Sequence, residues 1–119
     1  MKNLIIVVLM IVGTNLGSYA QETVSPSPKY FAQCMLSIED ETAFRTLEEN
    51  LRANPNVSIV RLDWYSKRAF LLTKELSTFA ESDFSAWLGE NADDATCIQV
   101  GVHGVDQVNP YPFTNCDNN

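Results

Sequence analysis

The chain has 119 residues, 8 basic against 15 acidic, and a formal net charge of −7. That surplus of carboxylates repels phosphates, so it excludes nucleic acid as a partner and argues against an anionic membrane surface. The length and a hydrophobic share of 45% suit one domain with a modest core.

The N-terminus carries one positive charge, Lys2, followed by an apolar run from Leu4 to Val12. Small residues Ser18 and Ala20 stand where a signal peptidase reads the chain. Residues 1–20 are therefore expected to be a signal peptide cut before Gln21, with the mature protein secreted or periplasmic. The run is shorter than the roughly 20 residues that a membrane span needs, and Thr14 and Asn15 interrupt its extension. The mature chain offers no second run of that length, so no membrane span is expected in it. Losing Lys2 with the signal leaves seven basic and 15 acidic residues, a charge of −8. Residues 21–29 are polar, contain Pro26 and Pro28, and read as a disordered leader.

From Tyr30 the pattern becomes periodic. Tyr30, Ala32, Cys34, Leu36 and Ile38 share one face of a strand, while Phe31, Gln33, Met35 and Ser37 share the other. Asp40 is suited to cap a helix whose apolar stripe is Ala43, Phe44, Leu47 and Leu51. Glu41–Arg45 and Glu48–Arg52 are four-apart pairs on its wet side, and Asn54-Pro55-Asn56 ends it. Asn56-Val57-Ser58 is also formally a glycosylation sequon. A second strand runs from Val57 to Trp64, with Val60, Leu62 and Trp64 on one side. Tyr65-Ser66-Lys67 turns the chain into a third strand, Arg68 to Thr73, carrying Phe70 and Leu72. A second helix is expected from Ser82 to about Asn91, burying Phe84, Trp87 and Leu88. An earlier start at Thr78 is also open. Cys97 to Val105 reads as the last strand, and residues 106–119 as an extended C-terminal tail without periodicity.

Strand, helix, strand, strand, helix, strand is the order of a ferredoxin-like βαββαβ domain over residues 30–105. This is an α+β fold, a four-stranded antiparallel sheet with both helices on one face. The other face is expected to stay open to a protein partner, or to be covered by the Pro110-Tyr111-Pro112-Phe113 stretch of the tail folding back. The element order, the run Asn56-Val57-x-x-Val60-x-Leu62 and the short second helix together resemble the heavy-metal-associated, copper-chaperone-like domains. That family holds metal through Cys-x-x-Cys between its first strand and first helix. Here that stretch is Ser37-Ile38-Glu39-Asp40-Glu41-Thr42, so no family ligand carries over. Gly101-Val102-His103-Gly104-Val105 is faintly similar to the acylphosphatase loop. It falls on the last strand and lacks the arginine that would hold a phosphate.

Three cysteines, Cys34, Cys97 and Cys116, leave at least one without an intramolecular partner. Strand parity places Cys34 in the core and Cys97 on the opposite face, so these two are not expected to bond. If a disulfide forms, Cys97–Cys116 is the expected one. The open face also offers soft donors at Met35 and Cys97, with His103 further along, if Met35 is set near Gln99; such a set suits copper(I). No serine, cysteine or histidine stands in a legible catalytic constellation, and no cofactor is expected. Two expectations result. The first is a small exported, non-enzymatic interaction module with an unknown protein partner. The alternative is a soft-metal binding or carrier protein using Met35, Cys97 and His103.

Overall fold

The computed structural model describes residues 26–116. The expected signal peptide at 1–20, residues 21–25 of the leader and residues 117–119 lie outside the described residues. The elements are β1 (Tyr30–Leu36), α1 (Glu41–Ala53), β2 (Val57–Asp63), β3 (Arg68–Thr73), α2 (Glu81–Leu88) and β4 (Ala95–Val102), with a 3-10 turn over Gly89–Asp94 before β4. The strands form one sheet in the order β2-β3-β1-β4, and every neighbouring pair is antiparallel. This is the ferredoxin-like fold.

Helix α1 forms where its stripe and caps agree. Asp40 Oδ1 accepts the Thr42 N–H at 3.1 Å, satisfying one of the donors that a helix start leaves unpaired. Phe44, Leu47 and Leu51 are buried on one side. On the wet side Arg45 bridges Glu41 and Glu48, and Arg52 bridges Glu48. Helix α2 is capped at Ala80, not at Ser82. Asp83 Oδ2 reaches back to accept the Ala80 N–H at 2.8 Å, which is half of a capping box. Phe79, just before that cap, and Phe84, four residues into the helix, have the spacing of a hydrophobic staple, and both are buried. Gly89, at φ 61°, ends the helix with a backbone turn that other residues adopt at a cost.

The core lies between the helices and one face of the sheet. It joins Ala32, Cys34 and Leu36 of β1 to Val60, Leu62, Ala69 and Leu71, under Phe44, Leu51, Phe84 and Leu88. Two bulges set which residues reach it. In β2 the register shifts between Val57 and Ile59, which returns Val57 to the buried side although its parity with Val60 would turn it out. In β3 the residues facing the helices are Ala69, Leu71 and Thr73, so Phe70 stands on the outer face, stacked on Phe31 at 6.4 Å between ring centroids. Thr73 is fully buried and satisfied, its hydroxyl accepting from Tyr30 N–H and donating to the Lys74 carbonyl.

Several further boundaries differ from the sequence expectation: α2 ends at Leu88 and not near Asn91, and β4 begins at Ala95 and not at Cys97. Strand β1 ends at Leu36, because the Ser37 N–H turns to the Asp94 carbonyl. Strand β4 ends at Val102 and not at Val105. The Val105 and Asp106 N–H groups fold back onto the Val102 carbonyl, and Asp106 Oδ2 takes the Val102 N–H. Contacts at the other end begin at Pro28 and Lys29, whose carbonyls accept from Leu76 and His103 N–H.

Candidate functional site

The outer face of the sheet is covered over β1 and β4. Residues 106–116 fold back across those strands with specific contacts, while Ile59 of β2 remains exposed and Phe70 and Leu72 of β3 half-buried. Phe31 is fully buried and Gln33 nearly so. Gln33 Nε2 donates to Gln99 Oε1 at 2.9 Å and to the Asn109 carbonyl at 3.1 Å. Gln99 Oε1 also accepts the Asn109 N–H, and Gln99 Nε2 donates to the Gln107 carbonyl. Two cross-strand glutamines, paired in register, thus serve as the tail's docking post. Gly101 lies opposite Phe31, and its missing side chain makes room for the ring. Further along, the Arg68 guanidinium lies 4.3 Å over the Tyr111 ring, a cation–π contact. Of the two expectations for this face, coverage by the tail holds over β1 and β4, because the aperiodic tail carries its own hydrogen-bonding partners.

A disulfide joins Cys97 to Cys116 and fastens the end of this strap to β4. The register of β4 against β1 shifts between Gln33 and Met35, with Gln33 opposite Gln99 and Met35 opposite Thr96. Cys97 is the extra residue of that bulge and takes φ 58°, a left-handed conformation unusual for a residue with a Cβ. Cys34 is a free, fully buried thiol on the helix face, and burial pushes its pKa up to about 12.

These positions bear directly on the soft-donor set. Met35 lies beside Thr96 and not beside Gln99 as the sequence expectation had it, because Gln99 pairs with Gln33, two residues away, and the bulge shifts the pairing by one residue more. The Cys97 sulfur is bonded to Cys116, so it is not a thiolate here. His103 follows Val102, which pairs with Tyr30 at the far end of β1 from Met35. The fold brings Met35 and Cys97 to one end of the β1–β4 pair and His103 to the other. Among the described residues, no three His, Cys, Asp or Glu side chains are grouped so that they could hold a metal ion.

The pole between β1 and α1, where the resembling domains carry their cysteines, holds a cation. Lys67, in the β2–β3 turn, has φ 63°. Its Nζ donates to the Ile38 carbonyl at 2.8 Å and lies 3.1 Å over the Trp64 ring. These contacts offset the left-handed backbone. Ser37 Oγ and N–H both bond the Asp94 carbonyl, fixing the same loop from the other side.

The remaining feature is a groove of about 500 Å³ that follows the free edge of β2, bordered by Arg52, Arg61, Leu62, Arg68, Phe70 and Phe113. Asp63 sits in it opposite Arg68. The Ser66 hydroxyl donates to its carboxylate at 2.6 Å and holds its pKa below the usual value. Sequence reading passed over Arg61 and Arg68 as isolated charges. Only the pairing of β2 with β3 puts them on one face.

No family model matches the sequence, and no curated protein matches it. Among solved structures, the chain is similar to the apo form of the HMA domain of a copper chaperone for superoxide dismutase. The TM-score is 0.48 and the identity 10%, over 89% of this chain and 99% of that one. The likeness is one of fold, and the assignment of that fold rests on the strand order and registers given above. Among the described residues no helix is long and apolar enough to cross a membrane.

Proposed function

We propose that this protein is a small exported, non-enzymatic interaction module. The observation that carries the reading is the Cys97–Cys116 bond across the strap. A disulfide of this kind persists outside the reducing cytosol, which fits the export signal read at residues 1–20. The strap spends the outer face on intramolecular contacts, so recognition falls to the edges and poles of the sheet.

The test is expression in the native host with a C-terminal tag, followed by fractionation, intact mass and cross-linking. The expected outcome is an exported protein beginning at Gln21, with one disulfide, one thiol that reacts only after denaturation, and a cross-linked protein partner. Retention in the cytosol with three reactive thiols overturns the reading. Copper(I) titration addresses the soft-metal alternative. The oxidised protein is expected to bind no more copper(I) than a Met35→Leu variant does.

A further inference from the structure

We propose that the edge of β2 is a docking site for an extended acidic peptide, which adds to the sheet as a fifth strand. The inference rests on the interaction-module reading and names its surface and the chemistry of its partner. The geometry begins with one hydrogen bond. Arg52 Nη2 donates to the Val60 carbonyl at 3.2 Å, so Val60 turns its backbone groups away from β3. In an antiparallel ladder, residues alternate between facing the partner strand and facing away. Leu62, two residues on, therefore also turns its N–H and carbonyl outward, while the Asp63 carbonyl faces the hairpin and accepts the Lys67 N–H at 2.8 Å. The Val60 N–H, the Leu62 N–H and the Leu62 carbonyl form a short row of strand-pairing groups.

The charge around that row selects the occupant. Three of the seven basic residues of the mature chain, Arg52, Arg61 and Arg68, border the groove together with two carboxylates, Glu48 and Asp63, which leaves it one net positive charge. Arg52 is paired with Glu48. Arg61 makes no ion pair among the described residues. Arg68 is held by Ser66 Oγ and the Tyr111 ring and stands opposite Asp63. In a chain with net charge −7, a local cluster of guanidiniums marks one place where an acidic strand is welcome and most others where it is repelled. A second copy of this edge would set Arg61 against its own kind. Phe70 lies on the same face as Arg61 and Arg68, and with Phe113 it offers apolar contact to the stems of the acidic side chains; the residues that alternate with them turn to the side of Val60 and Leu62.

The experiment uses the oxidised, isotope-labelled protein and a short acetylated peptide of alternating valine and glutamate. Binding is expected to shift the backbone amides of Val60 and Leu62 and to weaken with salt. It is also expected to fall at least about tenfold in the double variant R61E/R68E, and in part in R61E alone, which leaves the Arg68–Tyr111 contact of the strap in place. The same peptide N-methylated on its pairing edge should not bind. Absence of binding, equal binding by the methylated peptide, or shifts confined to the α1–α2 side overturns the proposal, as does dimerisation through β2. A cross-linked partner mapped to another face also overturns it while leaving the interaction-module reading in place.

Discussion

On the helix face of the sheet, Cys34, Leu36 and Leu71 are sealed by Phe44, Leu51 and Phe84, side chains that bring shape and apolar area. On the outer face, Phe31 and Gln33 are sealed just as fully, but by an irregular strap that brings carbonyls, an arginine–tyrosine contact and one covalent bond. At Phe31 and Gln33 the burial matches that of the helix face, and its cause is different. The first seal follows from periodicity and tolerates any chain that keeps the stripe. The second depends on individual groups meeting individual partners, and each of those can be removed singly.

The largest effect should come from the first seal. Phe44→Ala empties a fully buried site and removes the ring that packs edge-on against Trp64 at 5.3 Å. A loss of about 3–5 kcal/mol is expected in urea denaturation. A loss below about 1 kcal/mol would mean that the helices do not close that face.

Alkaline pH probes the same side. The Cys34 pKa is raised from 9.0 to about 12 by burial, so the neutral thiol stabilises the fold at all pH values below about 9. That contribution is lost as pH rises from about 9 towards 12, by up to about 4 kcal/mol. Cys34→Ala should flatten the decline. An unchanged alkaline profile would show that the thiol does not titrate against the core.

The strap is tested by Cys116→Ser. The bond closes a loop with a sequence separation of 19, for which chain entropy gives about 3 kcal/mol. The local signature is specific: amide exchange should accelerate at Gln33, Gln99 and Asn109 while α1 stays protected. Equal acceleration in both regions would erase the distinction between the two seals.

A smaller effect, about 1–3 kcal/mol, is expected for Gly101→Ala. A Cβ there would come within 2.8 Å of the Phe31 ring and 3.0 Å of Asp106 Cβ. The ring must tilt and lift the strap. If Phe31 absorbs the methyl without loss, the outer face is softer than its burial suggests.

The elements of the helix face were legible because they repeat. Cys34 and Leu36, Phe44 and Leu51, Val60 and Leu62 each recur at the period of their element, and that was enough for strand order and fold. The bulges were not legible, since one extra residue at Ser58 or Cys97 changes no composition and leaves both flanks periodic. Phe79 was overlooked although its spacing from Phe84 is a helix-start signal. The strap has no period at all. Its cysteine and its aromatic stretch at Tyr111 and Phe113 hinted at contact, but Gln99 and Gln33, which hold it, resemble ordinary surface residues until β1 and β4 are paired. Arg61 and Arg68 share that fate across β2 and β3.

The bulge at Cys97 and the bond it makes have a joint consequence for alignment. Two strands that differ by a one-residue slip exchange their inner and outer side chains wholesale. Here the extra residue lets β4 show Thr96 outward and Ile98 inward without a uniform alternation between them, and the covalent link is anchored at that single discontinuity. Sliding β4 in either direction would carry the anchor away from Cys116. The strap therefore works as an indexing pin, holding one strand at one setting against its neighbour, in addition to covering the face beneath it.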